Sequence, residues 1–277
     1  MNPIRPMNLV GRCVVLVFAS LCVSVCLGQT VELSAPVAKT QVRSSADSGK
    51  ATVKALLITG GCCHDYQNQK QIISESLSER FGNIDWTIIE YGDKKDIKAD
   101  VYRSGDWIDG FDIVVHNECF GGVTDGDFVK GIVAAHRRTK IPAIVVHCSM
   151  HSYRNAPTAD VWREFLGVTS RRHEKTKHSL KVVPTDAGKD HPILEVLDGK
   201  AWDTPNGELY IIEQVWPGTT VLATAHSDET HKDEPVIWTN ETQGVKVFGI
   251  SLGHHNETMM AEPWQAITAA GWTWAMQ

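Results

Sequence analysis

Residues 141–151 read Ile141-Pro142-Ala143-Ile144-Val145-Val146-His147-Cys148-Ser149-Met150-His151. The apolar, mostly β-branched run that ends at Val146 predicts a strand of a parallel sheet, buried on both faces. Ligands of open α/β sheets bind at the carboxyl ends of such strands. Because two imidazoles, a thiol and a hydroxyl follow Val146, the stretch predicts a functional site at that edge of the sheet.

Three more predicted strands end in polar segments that contain histidine. They are residues 53–59 followed by Gly60-Gly61-Cys62-Cys63-His64-Asp65, residues 112–115 followed by His116-Asn117-Glu118-Cys119, and residues 245–252 followed by Gly253-His254-His255-Asn256-Glu257. Parallel strands end at the same edge of a sheet, so these side chains are expected to meet there. The four strand ends together predict an active site.

Strands alternate with helices in the first half of the chain, which predicts a parallel sheet with right-handed crossovers. The predicted helices cover residues 67–81, 124–138 and 158–166, and a last helix covers residues 263–275. The second half contains short strand candidates at residues 179–183, 209–212, 220–223 and 236–238. We therefore predict an α/β fold: a doubly wound, mostly parallel sheet with an antiparallel extension in the second half.

The first 28 residues have the pattern of a secretory signal peptide. Arg5 and Arg12 give a positive start, and residues 13–27 form an apolar run with small residues near its end. The run is shorter than the roughly 20 apolar residues of a comfortable membrane span. We predict export to the periplasm or the cell exterior, with no stable membrane insertion after leader cleavage. An uncleaved anchor is the alternative.

Residues 29–50 are rich in Ser, Ala, Lys and Thr and lack a sustained apolar period, which predicts a disordered linker. The domain then covers residues 51–277, a length ample for one hydrophobic core. The chain has 27 basic and 33 acidic residues and a net charge of −6. Because no basic cluster is longer than Arg171-Arg172, nucleic acid is not an expected partner. The oligomeric state is left open, a homo-oligomer included.

Cysteines that remain after removal of the leader are Cys62, Cys63, Cys119 and Cys148. All of them lie at predicted strand ends, so they do not form the disulfide framework typical of small secreted domains. For Cys119 and Cys148 two states stay open, a disulfide between adjacent strands or buried free thiols. The free thiols are favoured.

Five short motifs follow one another along the chain: Gly60-Gly61-Cys62-Cys63-His64, Val145-Val146-His147, His191-Pro192-Ile193, Glu208-Leu209-Tyr210 and Leu252-Gly253-His254. In this order and spacing they resemble the ThuA-like (trehalose-utilisation) family, a branch of the class I glutamine amidotransferase-like fold. The resemblance covers residues 53–276. It implies a flavodoxin-like sheet for the domain and a small-molecule carbohydrate as its partner.

Amidotransferases of this fold place a cysteine nucleophile on a strained strand-to-helix turn, and a later strand supplies its histidine partner. The resemblance puts His147 at the nucleophile position and His254 at the partner position. Imidazole is a poor substitute for a thiolate in acyl transfer, so glutaminase activity is not expected. Cys148 lies one residue further along, which leaves a Cys–His hydrolase as an alternative function.

The candidate catalytic residues are His64, His147, Glu208 and His254. His64 follows two glycines that let backbone and ligand approach closely, and His147 and His254 end apolar strands. Glu208 belongs to a family motif and is a candidate general base. Imidazoles from several strand ends suit a divalent metal such as zinc, although the cofactor itself is unknown. His64, His147 and His254 are the predicted metal ligands.

Further candidates, for substrate binding, are His191, Tyr210, His173 and Glu118. His191 belongs to a family motif, and the resemblance also implies a role for His173. Tyr210 shares one strand face with Glu208 and is placed to stack on a sugar ring. Glu118 lies at a predicted strand end. The alternatives are a turn for His191, core packing for Tyr210 and a role in structure for Glu118.

The resemblance implies carbohydrate processing, because family members are associated with disaccharide catabolism beside partners that oxidise a sugar ring to its 3-keto form. A ketone makes the neighbouring C–H acidic, so Glu208 or His147 is expected to remove that proton. His64 and His254 would polarise the carbonyl, directly or through a metal. The predicted function is a lyase, isomerase or hydrolase of 3-keto-glycosides or disaccharides. A sugar-binding module without catalysis is a further alternative.

Overall fold

The computed structural model describes residues 34–43 and 51–277, and the predicted signal peptide at residues 1–28 lies outside them. The strands are β1 (Ala38–Arg43), β2 (Val53–Gly61), β3 (Ile84–Glu90), β4 (Ile113–Cys119), β5 (Ala143–Val146), β6 (Val168–His173), β7 (Lys181–Pro184), β8 (Trp202–Asp203), β9 (Tyr210–Val215), β10 (Thr219–His226), β11 (Asp233–Thr242) and β12 (Val245–Ile250). The α-helices are α1 (Tyr66–Phe81), α2 (Gly126–Thr139), α3 (Ala159–Leu166), α4 (Asp186–Lys189), α5 (Asn256–Met260) and α6 (Glu262–Ala275). Short 3₁₀ helices cover Asp100–Arg103, His147–His151 and Pro192–Leu197. None of the helices in the described ranges is long and apolar enough to cross a membrane.

Ten strands form one mixed sheet in the order β1-β3-β2-β4-β5-β12-β11-β10-β7-β8. The pairings from β3 through β12 are parallel, and those on either side are antiparallel. At the centre, Ile144 of β5 pairs with Val115 of β4 and with Phe248 of β12. This confirms a mixed α/β fold with a large sheet that is parallel at its centre. Strands β6 and β9 form a separate antiparallel pair.

The central strands are buried on both faces because their side chains alternate between two hydrophobic cores. Ala55 and Leu57 of β2 belong to the core that contains residues of α1 and α6. Leu56 and Ile58 belong to the core that contains residues of α2 and α3. Trp272 of α6 is buried in the first core. A continuous apolar run is therefore what this strand environment requires.

Strand β1 lies inside the segment that the sequence predicts to be a disordered linker. It pairs with β3 from Ala38 opposite Glu90 to Arg43 opposite Asp85. The side-chain amide of Gln41 also donates a 2.7 Å hydrogen bond to the hydroxyl of Thr87 on β3. The linker prediction is wrong for these residues, because backbone hydrogen bonds to a sheet edge can order a polar segment that has no apolar period. Residues 29–33 and 44–50 lie outside the described part of the chain.

Two helical glycines provide a test of this packing. A Cβ on Gly271 of α6 would lie 2.4 Å from Cδ1 of the buried Phe248, whereas a Cβ on Gly131 of α2 would meet nothing within 4 Å. Alanine favours a helix over glycine by about 1 kcal/mol, but overpacking a core costs about 1–3 kcal/mol. We expect Gly271→Ala to lower the free energy of unfolding in urea and Gly131→Ala to raise it. Stabilisation by Gly271→Ala would contradict the contact between α6 and β12.

Candidate active site

Four side chains meet at the carboxyl edge of the parallel strands. His64 follows β2, His147 follows β5, His254 follows β12, and Glu208 lies just before β9. One nitrogen or oxygen atom from each side chain lies within 4.8 Å of the others. The structure thus brings together the four residues that sequence analysis nominates as catalytic.

Two glycines place His64 at this site. Gly60 and Gly61 have φ values of +121° and +96°, and a Cβ on either would lie 2.4 or 2.3 Å from a carbonyl oxygen of a neighbouring strand end. Side chains are excluded from both positions by this contact and by the backbone conformation. The chain therefore turns tightly after β2, and Nε2 of His64 comes within 2.9 Å of Nδ1 of His254.

His147 directly follows β5 and is the first residue of the 3₁₀ helix His147–His151. Its φ of 41° lies in the left-handed region, which is costly for a residue with a side chain and is found most often at functional sites. Nδ1 of His147 lies 2.5 Å from the carbonyl oxygen of Ser251. Because a carbonyl only accepts, Nδ1 carries the proton and the lone pair of Nε2 faces Glu208, whose Oε2 is 3.4 Å away.

Buried serines hold the turn against β4. The hydroxyl of Ser149 donates a 2.6 Å hydrogen bond to the carbonyl oxygen of His116, and the hydroxyl of Ser152 donates a 2.7 Å bond to that of Glu118. Ser149 and Ser152 are both fully shielded from solvent. Buried hydrogen bonds of this kind are expensive to break, so they support the left-handed conformation of the turn.

Glu208 is the carboxylate of the site and is only 5% exposed. Its Oε2 lies 3.3 Å from Nδ1 of His254. Its Oε1 lies 3.5 Å from Nδ1 of His173 and 3.5 Å from Nζ of Lys177.

Burial keeps two histidines of the site uncharged. It lowers the pKa of His64 to about 2, and the neighbouring imidazoles of His147 and His254 add to this shift. Burial also lowers the pKa of His147, although the nearby carboxylate opposes the effect. Neutral imidazole is the form that binds metal ions and accepts protons.

The donor atoms of the site fit a divalent metal. Ring nitrogens of His64, His147 and His254 supply three imidazoles, a ligand set that catalytic zinc uses together with an open fourth position. Nε2 of His147 is buried and has no hydrogen-bond partner among the described residues. A metal ion would satisfy this atom. Glu208 is close enough to serve as a fourth ligand or as a base beside the metal.

A pocket of about 210 Å³ is lined by His64, Glu208 and His254, and Tyr210 also forms part of its lining. His147 is buried and is not part of that lining. The ring of Tyr210 stacks on His151 with centroids 4.2 Å apart and planes 8° apart, and the centroid of His147 lies 4.6 Å away. These imidazoles cover the ring, which is only 1% exposed. Tyr210 therefore supports the pocket and is not the predicted platform for a sugar ring.

The cysteines lie close to the site in two different states. Cys62 and Cys63 form a disulfide between consecutive residues, which sequence analysis does not predict. Cys119 and Cys148 are buried free thiols, the favoured of the two states left open for this pair. Burial raises the pKa of the Cys148 thiol. A protonated, buried thiol is a poor nucleophile, which argues against the Cys–His hydrolase alternative.

Two predicted substrate-binding residues do not line the pocket. Glu118 is 0% exposed, and its Oε1 lies 2.9 Å from both Nδ1 of His116 and the hydroxyl of Tyr102. The prediction is wrong because β4 is buried along its whole length, so Glu118 lies in the core although it is near a strand end. His191 accepts a 3.2 Å hydrogen bond from the backbone N–H of Ile193 and caps a 3₁₀ helix. Its motif therefore shapes a turn.

The remaining predicted residue, His173, does line the pocket, together with three residues that sequence analysis does not assign: His151, Arg154 and Lys177. His151 belongs to the stretch that follows β5, and its position four residues after His147 is a signal that could have found it. Arg154 and Lys177 come from segments without any apolar period. Only the folded structure brings these two cations to the pocket.

The fold and the site together define an α/β protein with a histidine- and carboxylate-lined pocket at the carboxyl edge of its parallel strands. The family model ThuA, described as trehalose utilisation, matches residues 54–275. The chain belongs to the ThuA family, as its motifs predict. No curated protein matches the chain.

Solved structures share this fold at low sequence identity. A ThuA-like protein from Parabacteroides merdae ATCC 43184 is 17% identical, with a TM-score of 0.63 over 82% of this chain and 91% of that chain. A ThuA-like protein from Bacteroides uniformis ATCC 8492 is 15% identical, with a TM-score of 0.58 over 83% and 94%. A β-galactosidase from Rahnella sp. R3 is 10% identical, with a TM-score of 0.50 over 82% of this chain and 32% of that chain. At such identities the likeness shows the fold alone.

Elemental analysis and competitive chelation test the metal site. We expect the protein dialysed against zinc to hold about one ion per chain. His64→Ala, His147→Ala and His254→Ala should each lower zinc affinity by more than about 100-fold, because each removes a ligand. Glu208→Gln should retain the ion if the carboxylate acts as a base. The control is His226→Ala, an exposed histidine outside the pocket; equal affinities in all the variants would refute the site.

Alkylation tests the role of Cys148. Because the thiol is buried and its pKa is raised, iodoacetamide at neutral pH should leave Cys148 unmodified in the folded protein and should label it after unfolding in urea. Mass spectrometry of the peptide reports the result. Rapid labelling of Cys148 in the folded protein would return the Cys–His hydrolase to consideration.

Proposed function

We propose that the protein is an exported carbohydrate-processing enzyme that performs acid–base chemistry on 3-keto-glycosides or 3-keto-disaccharides, assisted by a divalent metal such as zinc. The observation that carries the proposal is the cluster of His64, His147, Glu208 and His254, of which His64, Glu208 and His254 line one pocket. The membership of the ThuA family, with its description as trehalose utilisation, supports the carbohydrate class.

Glu208 is the general base of the proposed mechanism. Its Oε2 faces His147 and His254, while Oε1 lies 3.5 Å from Nδ1 of His173 at the pocket. A C–H bond beside a ketone is acidic enough for a positioned carboxylate to remove the proton. Nδ1 of His173 carries a proton, because it lies 2.6 Å from the carbonyl oxygen of Glu174, so His173 does not take the proton from Glu208. Oε1 of Glu208 accepts the proton from the carbon beside the ketone. In an elimination the electrons of that C–H bond form a C=C bond, the glycosidic C–O bond breaks, and the departing oxygen takes the proton back from Glu208. In an isomerisation no C–O bond breaks: a hydroxyl proton moves to the ketone oxygen, and Glu208 returns its proton to the former ketone carbon.

A divalent metal held by His64, His147 and His254 would supply Lewis-acid polarisation of the ketone. The chain contributes by fixing the three ring nitrogens before substrate arrives. The carbonyl of Ser251 orients the ring of His147, and the tight glycine turn after β2 brings His64 to His254. Preorganised donors of this kind avoid the free-energy cost of rearrangement during the reaction.

We also propose that the parallel centre of the sheet is doubly wound, in the flavodoxin-like form that class I glutamine amidotransferases share. Its strands in chain order are β2, β3, β4, β5 and β12, and their order across the sheet is β3-β2-β4-β5-β12. This is the 2-1-3-4-5 arrangement of flavodoxin-like sheets. Ligands of such sheets bind where the order reverses, which here lies between β2 and β4. His64 follows β2 at that place.

Export is part of the proposal and rests on the leader pattern of residues 1–28. The disulfide between Cys62 and Cys63 agrees with an oxidising compartment such as the periplasm. The substrate would then be met outside the cytoplasm, after another enzyme has oxidised the sugar.

Solvent deuterium exchange tests the reaction directly. Zinc-loaded protein is incubated with a 3-keto-glycoside in D₂O, and proton NMR follows the hydrogens beside the ketone. Removal of such a proton replaces it with deuterium, whatever product follows. We expect exchange with the wild-type protein, and we expect Glu208→Gln to slow it by about 10²- to 10⁴-fold, the range that general base catalysis contributes.

Glu213→Gln is the matched control, since Glu213 lies on β9 and pairs with Arg171 outside the pocket. This variant should exchange deuterium at the wild-type rate. If the wild-type protein binds the 3-keto-glycoside but exchanges no deuterium, with or without zinc, the protein is a sugar-binding module and the proposed chemistry is wrong.

A further inference from the structure

The pocket has a charge opposite in sign to that of the whole chain. The chain carries a net charge of −6. The pocket lining contains two permanently charged cations, Arg154 and Lys177, and one carboxylate, Glu208. A metal ion among the histidines would add further positive charge. Concave sites lined by one sign of charge attract ligands of the other sign.

Of the two pocket cations, Arg154 is the one without a partner. Within residues 34–43 and 51–277 its guanidinium forms no ion pair and no hydrogen bond, although it is exposed. In this it resembles Arg103 and differs from the arginines that pair with carboxylates: Arg80, Arg137, Arg138, Arg163, Arg171 and Arg172. The side chain of Arg154 packs beside Gly121, where a Cβ would lie 3.2 Å from its Nε. Its stem is therefore held near the pocket while all its donors stay available.

Lys177 supplies a second cation on the same pocket. Its Nζ lies 3.5 Å from Oε1 of Glu208, and the side chain is 43% exposed. An ammonium group has three donors, so this single long contact leaves others free for a ligand. The positive charge of Arg154 also reaches the interior of the pocket, where it adds to the effect of burial in lowering the pKa of His151 to about 3.

We propose that the sugar bound here carries an anionic oxygen group, a carboxylate or a phosphate, which is held by Arg154 and Lys177 while the ring lies against the histidines. The inference rests on the proposed function, because it assigns a substrate class to the same pocket. The planar guanidinium matches a carboxylate or phosphate through paired hydrogen bonds. The volume of about 210 Å³ is smaller than that of drug-sized sites, which start near 300 Å³, so it suits one charged sugar ring.

Isothermal titration calorimetry of the zinc-loaded protein tests this inference with three probes. D-glucose is the neutral probe, D-glucuronate carries a carboxylate, and D-glucose 6-phosphate carries a phosphate. We expect at least one charged sugar to bind about tenfold or more tightly than glucose, since hydrogen bonds to charged groups contribute that much. The tighter of the two charged sugars identifies the anionic group. The preference should weaken as salt is added.

Single substitutions test which residues produce the preference for a charged sugar over glucose. Arg154→Gln should abolish most of it, and Lys177→Gln should reduce it. Arg171→Gln is the matched control, because Arg171 is exposed and pairs with Glu213 away from the pocket. A charged group that binds the metal instead would keep its preference in Arg154→Gln and lose it in His254→Ala, and this outcome would overturn the inference.

Two more outcomes overturn it: glucose that binds as tightly as both charged sugars, or no binding of any of the three probes to the folded protein. The result is separable from that of deuterium exchange, which uses an uncharged 3-keto-glycoside. Exchange without any preference for charged sugars removes this inference alone. A preference that depends on Arg154, together with no exchange in either an uncharged or a charged 3-keto-glycoside, removes the proposed chemistry alone.

Discussion

The hydrogen bond from Nδ1 of His147 to the carbonyl oxygen of Ser251 is the contact on which the site depends. It joins the turn after β5 to the end of the neighbouring parallel strand β12. It also decides which ring nitrogen keeps its lone pair, and it points that nitrogen toward Glu208. Without it the ring could rotate, and the left-handed backbone at this residue would have cost free energy for no gain. A parallel pair of strands thus sets the chemistry of an imidazole.

Much of the fold could be predicted because buried parallel strands produce a pattern that is visible in the sequence. Apolar runs that end in polar residues marked β2, β4, β5 and β12, and the common direction of the strands then gathers their ends at one edge. Three members of the site follow from that argument alone. Glu208 does not, because it precedes an antiparallel strand outside the main sheet. Only the family motif pointed to it.

The errors have physical causes too. A position near a strand end indicates a functional site only when the side chain reaches the surface there, and β4 is buried along its whole length, so Glu118 lies in the core. Strand β1 gains its order from backbone hydrogen bonds, which sequence composition does not report. The disulfide of Cys62 with Cys63 and the approach of Arg154 depend on loop conformations. No periodic pattern encodes such conformations.

Strand β1 affects which edge of the sheet is open to other copies of the protein. It covers the outer edge of β3 with a strand drawn from the segment ahead of the domain, whose residues carry polar and charged side chains. A bare edge at β3 would offer unpaired amides and carbonyls as a template for strands from other copies, the usual route to aggregation. Strand β1 therefore replaces the edge of β3 with an edge that carries the charged residues Lys39 and Arg43, and a shortened protein that began at β2 would expose β3 instead.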